Sequence, residues 1–293
     1  MDSKTTEKCL GWADLHLHTN RSDGVFTPTE IVQKAAELEL VAISITDHDE
    51  VGGIEEAQQA AEKLGIEVIP GIELSTSTRQ LDVHILGYFI NWHNQEILHY
   101  IRLFQQERLK RAEKIVAKLN SMGLKLSLDF ILEKAGAGSV GRPHIADALM
   151  EEGYVLSYDE AFYKYLGNGK PAYEPKYKIS TVDAVRLIHR AQGLAFLAHP
   201  GMDLSNEDVT QLIKIGLDGL EILHPSHNET KINYFYQLAL KNNLLVSGGS
   251  DYHGDRKGNA TIGNYNIPYQ FVIEMKKAVG KSRLLVNQNF QKI

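Results

Sequence analysis

Cysteine is nearly absent from this chain: Cys9 is the only one in 293 residues. A single thiol closes no internal disulfide, and no Cys or His stands at finger-like spacing from it, which excludes structural zinc of the thiolate kind. A reducing compartment, the cytoplasm, is therefore expected. Long apolar runs are missing as well. No stretch approaches the roughly 18 uninterrupted apolar residues of a membrane span, and Met1 to Leu10 has no apolar region behind a basic start, so neither membrane insertion nor secretion is expected. Positive charge is in deficit: 31 Lys and Arg against 37 Asp and Glu leave a net charge of −6. That balance excludes wrapping long duplex nucleic acid with a broad basic surface, but it permits small or short anionic substrates. No protein partner is visible in the pattern.

What is present is an alternation of short apolar strands and amphipathic helices. Strands are expected at 13–17, 41–46, 67–69 and 82–89, with a further segment at 72–75 and helices at 27–38 and 54–64, the second stopped by Gly65. From Trp92 to Lys178 the chain becomes mostly helical and more charged, which reads as an insertion. The alternation then resumes with strands at 194–198, 219–223 and 244–247 between helices at 182–191, 207–215 and 230–242. The expected organisation is a barrel in two parts, 10–91 and 181–293, around an inserted helical domain at 92–180. So many βα repeats favour a closed barrel over an open sheet.

Histidine is the unusual residue. Of twelve, several follow strands directly: His16-Leu17-His18 with Asp23 just after, Asp47-His48-Asp49, His199-Pro200, His224, and Ser250-Asp251-Tyr252-His253, while Glu73 and His84 lie in the segments between. The C-terminal ends of barrel strands converge on one face, so these side chains can meet. Residues two apart on a strand face the same way, which lets His16 and His18 share one ion, and likewise Asp251 and His253. A lone histidine is more often a hydrogen-bonded structural residue, and His93, His99 and His189 are read that way. No packing requirement explains so many ionisable groups at strand ends. Imidazole and carboxylate without thiolate suit zinc, manganese or iron, and the set exceeds what one tetrahedral site uses. More than one metal is implied, an arrangement suited to phosphate esters.

Asp14-Leu15-His16-Leu17-His18-Thr19, Ser22-Asp23-Gly24, Thr46-Asp47-His48-Asp49, Gly71-Ile72-Glu73, Ala198-His199-Pro200 and Gly249-Ser250-Asp251-Tyr252-His253 resemble, in order, the motifs of the PHP (polymerase and histidinol phosphatase) family. The resemblance implies an α/β fold, a distorted (β/α)7 barrel with a mostly helical inserted domain, and a site for three divalent metal ions, with Mn2+ expected and Zn2+ or Fe2+ as substitutes. Carried over, His16, His18, Glu73 and Asp251 would hold the first ion. Glu73 would bridge to a second held also by His84 and His199, and Asp23, His48 and His253 would hold the third. Gly141-Arg142-Pro143-His144-Ile145-Ala146 resembles the branch containing 3′,5′-nucleotide bisphosphate phosphatases and 5′-3′ exoribonucleases. There Arg142, a planar fork suited to phosphate, would bind substrate together with His144 and Ser139. The implied activity is metal-dependent hydrolysis of a nucleotide phosphate ester, with short single-stranded oligonucleotides as further substrates and no side-chain nucleophile.

Lys110 and Arg111, on a helix rich in both charges, read as a solvated face. His224 and His227 end another strand without an assigned role. Three rival readings stay open: histidinol phosphate hydrolysis, an amidohydrolase-type C–N hydrolase, and a metal-binding module without catalysis.

Overall fold

The computed structural model describes residues 10–78, 81–136, 140–202, 204–254 and 261–290, the last ten by backbone alone. The sheet runs β8 (Leu245–Gly248), β7 (Gly219–Leu223), β6 (Leu194–Leu197), β4 (Leu81–Tyr88), β3 (Glu67–Thr78), β2 (Ala42–Ile45), β1 (Trp12–Leu17), with β9 (Ile267–Pro268) beyond β1 and β5 (Ile179–Ser180) beside β3. Seven of these strands form a nearly closed barrel. Its seam lies between β1 and the chain leaving β8: Leu17 bridges Tyr252, His18 N–H donates to Tyr252 O at 3.0 Å, and Ser250 N–H donates to Asp14 Oδ1 at 3.0 Å.

Regular βα repeats would give a parallel sheet, and the barrel departs from this at β3 and β4. The segments expected at 67–69 and 72–75 are one strand that changes partner midway. Glu67 to Pro70 pair in parallel with Ala42 to Ile45, and Gly71 to Thr78 pair antiparallel with Tyr88 to Leu81. Pro70 donates no ladder hydrogen bond, and a Cβ on Gly71 would lie 2.3 Å from Ser44 Oγ, so this pair of residues suits the bend where the partner changes. β4 is in turn antiparallel to β6. A hairpin thus replaces one crossover helix, and this distorts the barrel.

Alternation along β1 sets the site. Ala13, Leu15 and Leu17 enter apolar clusters, leaving Asp14 and His16 on the opposite face, and His18 continues it. The helices are local solutions to the same problem. α1 (Pro28–Glu37) opens with a capping box between Thr27 and Glu30, α2 (Ile54–Leu64) stops at left-handed Gly65, and both pack against the sheet through residues such as Ile31, Ala35 and Ala57.

The segment after β4 is helical, as expected. α3 (Gln95–Ser121) has 27 residues, about 40 Å of helix. Its first half sends Ile97, Tyr100, Ile101 and Phe104 into the barrel's outer core. Its second half sends Ala112, Ile115, Val116 and Leu119 into a separate cluster with α4 (Leu128–Ala135), α5 (Arg142–Glu151), α6 (Tyr158–Ala161) and the π-helical turn Phe162–Leu166. After it, α7 (Thr181–Arg190), α8 (Asn206–Ile213), α9 (Glu229–Lys241) and α10 (Tyr269–Phe290) complete the order. Among the described residues no helix is long and apolar enough to cross a membrane.

Barrel closure brings Gly249 against β1 so tightly that a Cβ there would lie 2.4 Å from His16 N and 2.5 Å from His16 Cβ. Gly249→Ala is expected to cost about 1–3 kcal/mol through overpacking, lowering the melting temperature and displacing His16. An unchanged melting temperature would show that the seam relaxes freely.

Candidate active site

Glu73 is the centre of the histidine cluster. Its Oε2 lies 3.2 Å from His16 Nε2, 3.2 Å from His18 Nε2 and 3.1 Å from His48 Nδ1. Its Oε1 lies 2.8 Å from His84 Nδ1 and 3.1 Å from His199 Nε2. The sheet explains the convergence. Beyond β2 the backbone continues to pair with β3, Asp49 N–H donating to Glu73 O and Glu73 N–H to Asp47 O, which sets His48 beside Glu73. Across the hairpin Ser75 is opposite His84, so Glu73 and His84 are diagonal neighbours on one face.

The same side chains divide into three groups whose donor atoms lie within 4.8 Å of one another: His16, His18, Glu73 and Asp251; His18, Asp23, His48 and His253; and His48, Glu73 and His84. The first holds the four residues expected for one ion. The second adds His18 to the expected Asp23, His48 and His253. In the third, His48 stands where His199 was expected, although His199 also reaches Glu73. His18 Nδ1 and Nε2, His48 Nδ1 and His84 Nδ1 are buried and make no hydrogen bond, though carboxylates face them. Lone pairs and carboxylate oxygens about 3 Å apart, badly aligned for hydrogen bonds, suit a shared cation at about 2.1 Å from each. The cluster is able to bind metal.

Electrostatics agree. Burial alone would raise the Glu73 carboxyl, but the facing His48, His84 and His16 hold it well below the usual carboxylate range. Asp251 is likewise held well below it, against the effect of burial, by His253, His16 and neighbouring imidazoles. Burial opposes a proton on His18, yet Asp251 and Glu73 push it up to about 9. His48 and His84 are instead lowered, chiefly by burial. Asp49, His199 and Asp251 have φ of 52°, 29° and 50°, left-handed values that cost non-glycine residues energy and cluster at functional sites.

Around this centre lies a layer of buried acids that sequence reading gave no role. Glu221 Oε1 accepts from His16 Nδ1 at 2.8 Å and Oε2 accepts from His199 N–H at 2.6 Å, fixing two rings at once. Asp47 holds Thr19 N–H, Thr19 Oγ1 and Ser22 Oγ at 2.5–2.7 Å, shaping the loop that presents Asp23. Asp14 accepts from the backbones of Ser250 and Gly263. His224 orients Asp251 at 3.4 Å, and His227 bridges Ile222 O and Gly201 N to steady the loop after His199.

Next to the cluster a cleft of about 290 Å³ is lined by Asp23, His48 and His84 together with Arg108, Arg111, Arg142, Lys176 and Lys178. Arg142 donates to Leu166 O at 3.0 Å and lies over the rings of Phe162 and Tyr173. The solvated-face reading holds for exposed Lys110, which pairs with half-buried Glu107, and is corrected for Arg111. Arg111 turns inward to donate to Glu174 O at 2.9 Å, and burial, with Arg142 and Arg108 nearby, pushes it down to about 10. Phe104, Arg108 and Arg111 follow each other at helical spacing on one face of α3. His144 is placed differently from the expectation that it binds substrate. It folds back so that Nδ1 accepts from Gly141 N–H at 3.1 Å, capping α5, and it is not among the residues lining the cleft. Ser139 lies outside the described residues.

Because protonated imidazole is no ligand, an ion held by His18 would have to displace its proton below about pH 9, and apparent metal affinity should then rise with pH up to that value. Titration calorimetry in buffers of different ionisation enthalpy will show proton release; affinity flat from pH 7 to 9 would contradict it. Glu221→Gln is expected to weaken metal binding about 10–100-fold by releasing His16 and His199, measured by competition with a chromophoric chelator.

Known proteins resemble this chain. The PHP domain model matches residues 14–165. The chain is similar to the 3′,5′-nucleoside bisphosphate phosphatase of Chromobacterium violaceum, 34% identical over 257 residues that cover 86% of this chain and 90% of the relative. It is similar to the 5′-3′ exoribonuclease of Haemophilus influenzae, 34% identical over 245 residues covering 82% of this chain and 89% of the relative. Among solved structures, a protein of Bifidobacterium adolescentis assigned as a metal-dependent phosphoesterase superposes with a TM-score of 0.83 at 31% identity, over 90% of this chain and 94% of that one. Motifs, barrel and relatives agree, and the chain belongs to the PHP domain family.

Proposed function

We propose that this PHP phosphoesterase removes the 3′-phosphate of 3′,5′-bisphosphonucleotides and also shortens short single-stranded oligonucleotides from the 5′ end, in the cytoplasm. The observation that carries this reading is the cleft, which residues of the candidate metal cluster and five cationic side chains line together. One phosphate fits the metal side and a second the arginine side. We assign His16, His18, Glu73 and Asp251 to one ion, Asp23, His48 and His253, joined by His18, to another, and Glu73, His84 and His199 to a third, with Mn2+ as the ion and Zn2+ or Fe2+ as substitutes. The oxygen- and imidazole-rich donor set suits these metals. When bound, they supply Lewis acidity at phosphoryl oxygens and make water a nucleophile near neutral pH.

The chain's own residues do the remaining work. Glu221 and His224 orient the ligand side chains His16 and Asp251. Arg142, anchored by one carbonyl and two aromatic faces, keeps further N–H groups for a phosphate. Tyr158, Phe162 and Tyr173, also in the cleft wall, offer aromatic faces to a base. Histidinol phosphate suits the cleft less well, because its amine would meet cations; Asp82, the one carboxylate in the wall besides Asp23, is paired with Lys178.

The test is phosphate release by the manganese-loaded protein from adenosine 3′,5′-bisphosphate, 5′-AMP, histidinol phosphate and a 5′-phosphorylated oligoribonucleotide, side by side. Selective turnover of the bisphosphate with stepwise shortening of the oligomer is expected, and a chelator should abolish both. Preference for histidinol phosphate would overturn the substrate. Arg142→Ala should reduce the preference for bisphosphate over monophosphate about 10–100-fold, the worth of a hydrogen bond to a charged group. An unchanged preference removes Arg142 from the second phosphate.

A further inference from the structure

Lys176 differs from the arginines of the cleft in what holds it. Arg108, Arg111 and Arg142 hydrogen-bond carbonyls of the inserted segment, those of Val140, Glu174 and Leu166. Lys176 Nζ donates instead to Ser75 Oγ on β3. Ser75 is two residues beyond Glu73 on the same strand and directly opposite His84, so the three share one face of the hairpin. The ammonium is thereby fastened to the barrel beside Glu73 and His84, whereas Arg111 and Arg142 are held by the inserted segment and Arg108 reaches the barrel only at 3.9 Å from Asp49 Oδ2.

Ser75 is itself fixed. Its N–H donates to Asp49 Oδ1 at 2.8 Å, its hydroxyl donates to Asp49 Oδ2 at 2.6 Å, and Tyr100 OH donates to Asp49 Oδ1 at 2.8 Å. With the hydroxyl proton committed to Asp49, Ser75 Oγ presents its lone pairs to Lys176. Asp49 Oδ2 stands 3.6 Å from Nζ, beyond hydrogen-bond length. An ammonium carries three donors, and Ser75 takes one. The side chain is 20% exposed, with the Phe104 ring 5.4 Å away. Burial, with Arg108 nearby, pushes the amine down to about 8 against the pull of Asp49, Asp23 and Glu73. Asp49, its ion-pair partner at 3.6 Å, already accepts from Ser75 and Tyr100, so two donors of this half-buried ammonium remain for an anion in the cleft.

We propose that Lys176 is a catalytic residue whose ammonium hydrogen-bonds the phosphoryl group undergoing hydrolysis, with Ser75 and Asp49 as positioning residues. It rests on the phosphoesterase reading above but not on the second phosphate. As the oxygen of water bonds to phosphorus and the ester P–O bond breaks, the electron pair leaves with the ester oxygen, which takes up a proton released by the water. Lys176 keeps its protons throughout and neutralises charge on the phosphoryl oxygens. The arginines serve the other phosphate, so the two sets of cations divide the substrate between them.

The experiment compares the metal-loaded full chain with Lys176→Met and Lys176→Arg. It measures affinity for inorganic phosphate and kcat/KM on p-nitrophenyl phosphate and adenosine 3′,5′-bisphosphate, alongside metal content and melting temperature. Lys176→Met is expected to bind phosphate about 10-fold or more weakly and to lose about 10–100-fold in kcat/KM on both esters. Lys176→Arg should recover part of each. Phosphate affinity equal to wild type at equal metal content would overturn the proposal, as would a loss confined to the bisphosphate, which would place Lys176 with the arginines. Should Lys176→Met fold poorly or load less metal, Ser75→Ala decides: weaker phosphate binding at full metal content supports the proposal, and unchanged binding sinks it. Failure of the bisphosphate reading would appear as poor turnover of that substrate by the wild type, while phosphate binding and p-nitrophenyl phosphate still report on Lys176.

Discussion

One buried carboxylate faces five imidazoles, and much of this molecule exists to keep it there. Glu73 is 1% exposed and lies within 3.2 Å of nitrogens from His16, His18, His48, His84 and His199. An isolated charge at such depth would cost many kcal/mol, and only opposite charge or metal offsets that cost. The change of partner at Pro70 and Gly71 is what brings the cluster together. By pairing its first half with β2 and its second with β4, β3 receives His48 from one neighbour and His84 from the other. A regular parallel strand followed by a helix would present Glu73 without the antiparallel partner that carries His84.

Rigidity at this centre comes from a second set of acids. Asp14, Asp47, Asp49 and Glu221 are buried and spend their oxygens on backbone N–H groups, hydroxyls and ring nitrogens. They fix the loops that leave β1, β2, β6 and β8 in strained conformations, which is how Asp49, His199 and Asp251 are kept at positive φ. Burial raises Asp14 and Asp47 despite their hydrogen bonds, a sign that these groups are kept for geometry at some cost in solvation.

The residues of the candidate metal cluster stood out in the sequence because their residue types are costly and their period is short. His16 and His18 two apart, and Asp251 and His253 two apart, have no packing rationale at strand ends. The same logic missed Glu221, a lone acid in the apolar strand Gly219–Leu223, where nothing in the local pattern separates a pleat's solvated face from a barrel interior. It missed Arg108 and misread Arg111 because α3 carries charges all round; which face turns inward is decided by the residues after Tyr173, far along the chain. β4 was legible as a strand, but its direction was not, since alternation of apolar residues is the same in parallel and antiparallel pairs.

The net charge of −6 hides a separation of charge that the fold creates. The carboxylates and imidazoles of the cluster come from the barrel, whereas the five cations that line the neighbouring cleft all come from the segment between β4 and β5. Within the barrel cluster opposite charges hold one another, as the lowered Glu73 and Asp251 carboxyls show. The cations lack that compensation: burial, with Arg142 and Arg108 nearby, pushes Arg111 down. α3 holds the two sets in register, because its N-terminal half is locked into the barrel core and its C-terminal half into a second hydrophobic cluster. Folding thus gathers positive charge beside a cluster able to bind metal, and the cohesion of these two cores offsets the cost of keeping it there.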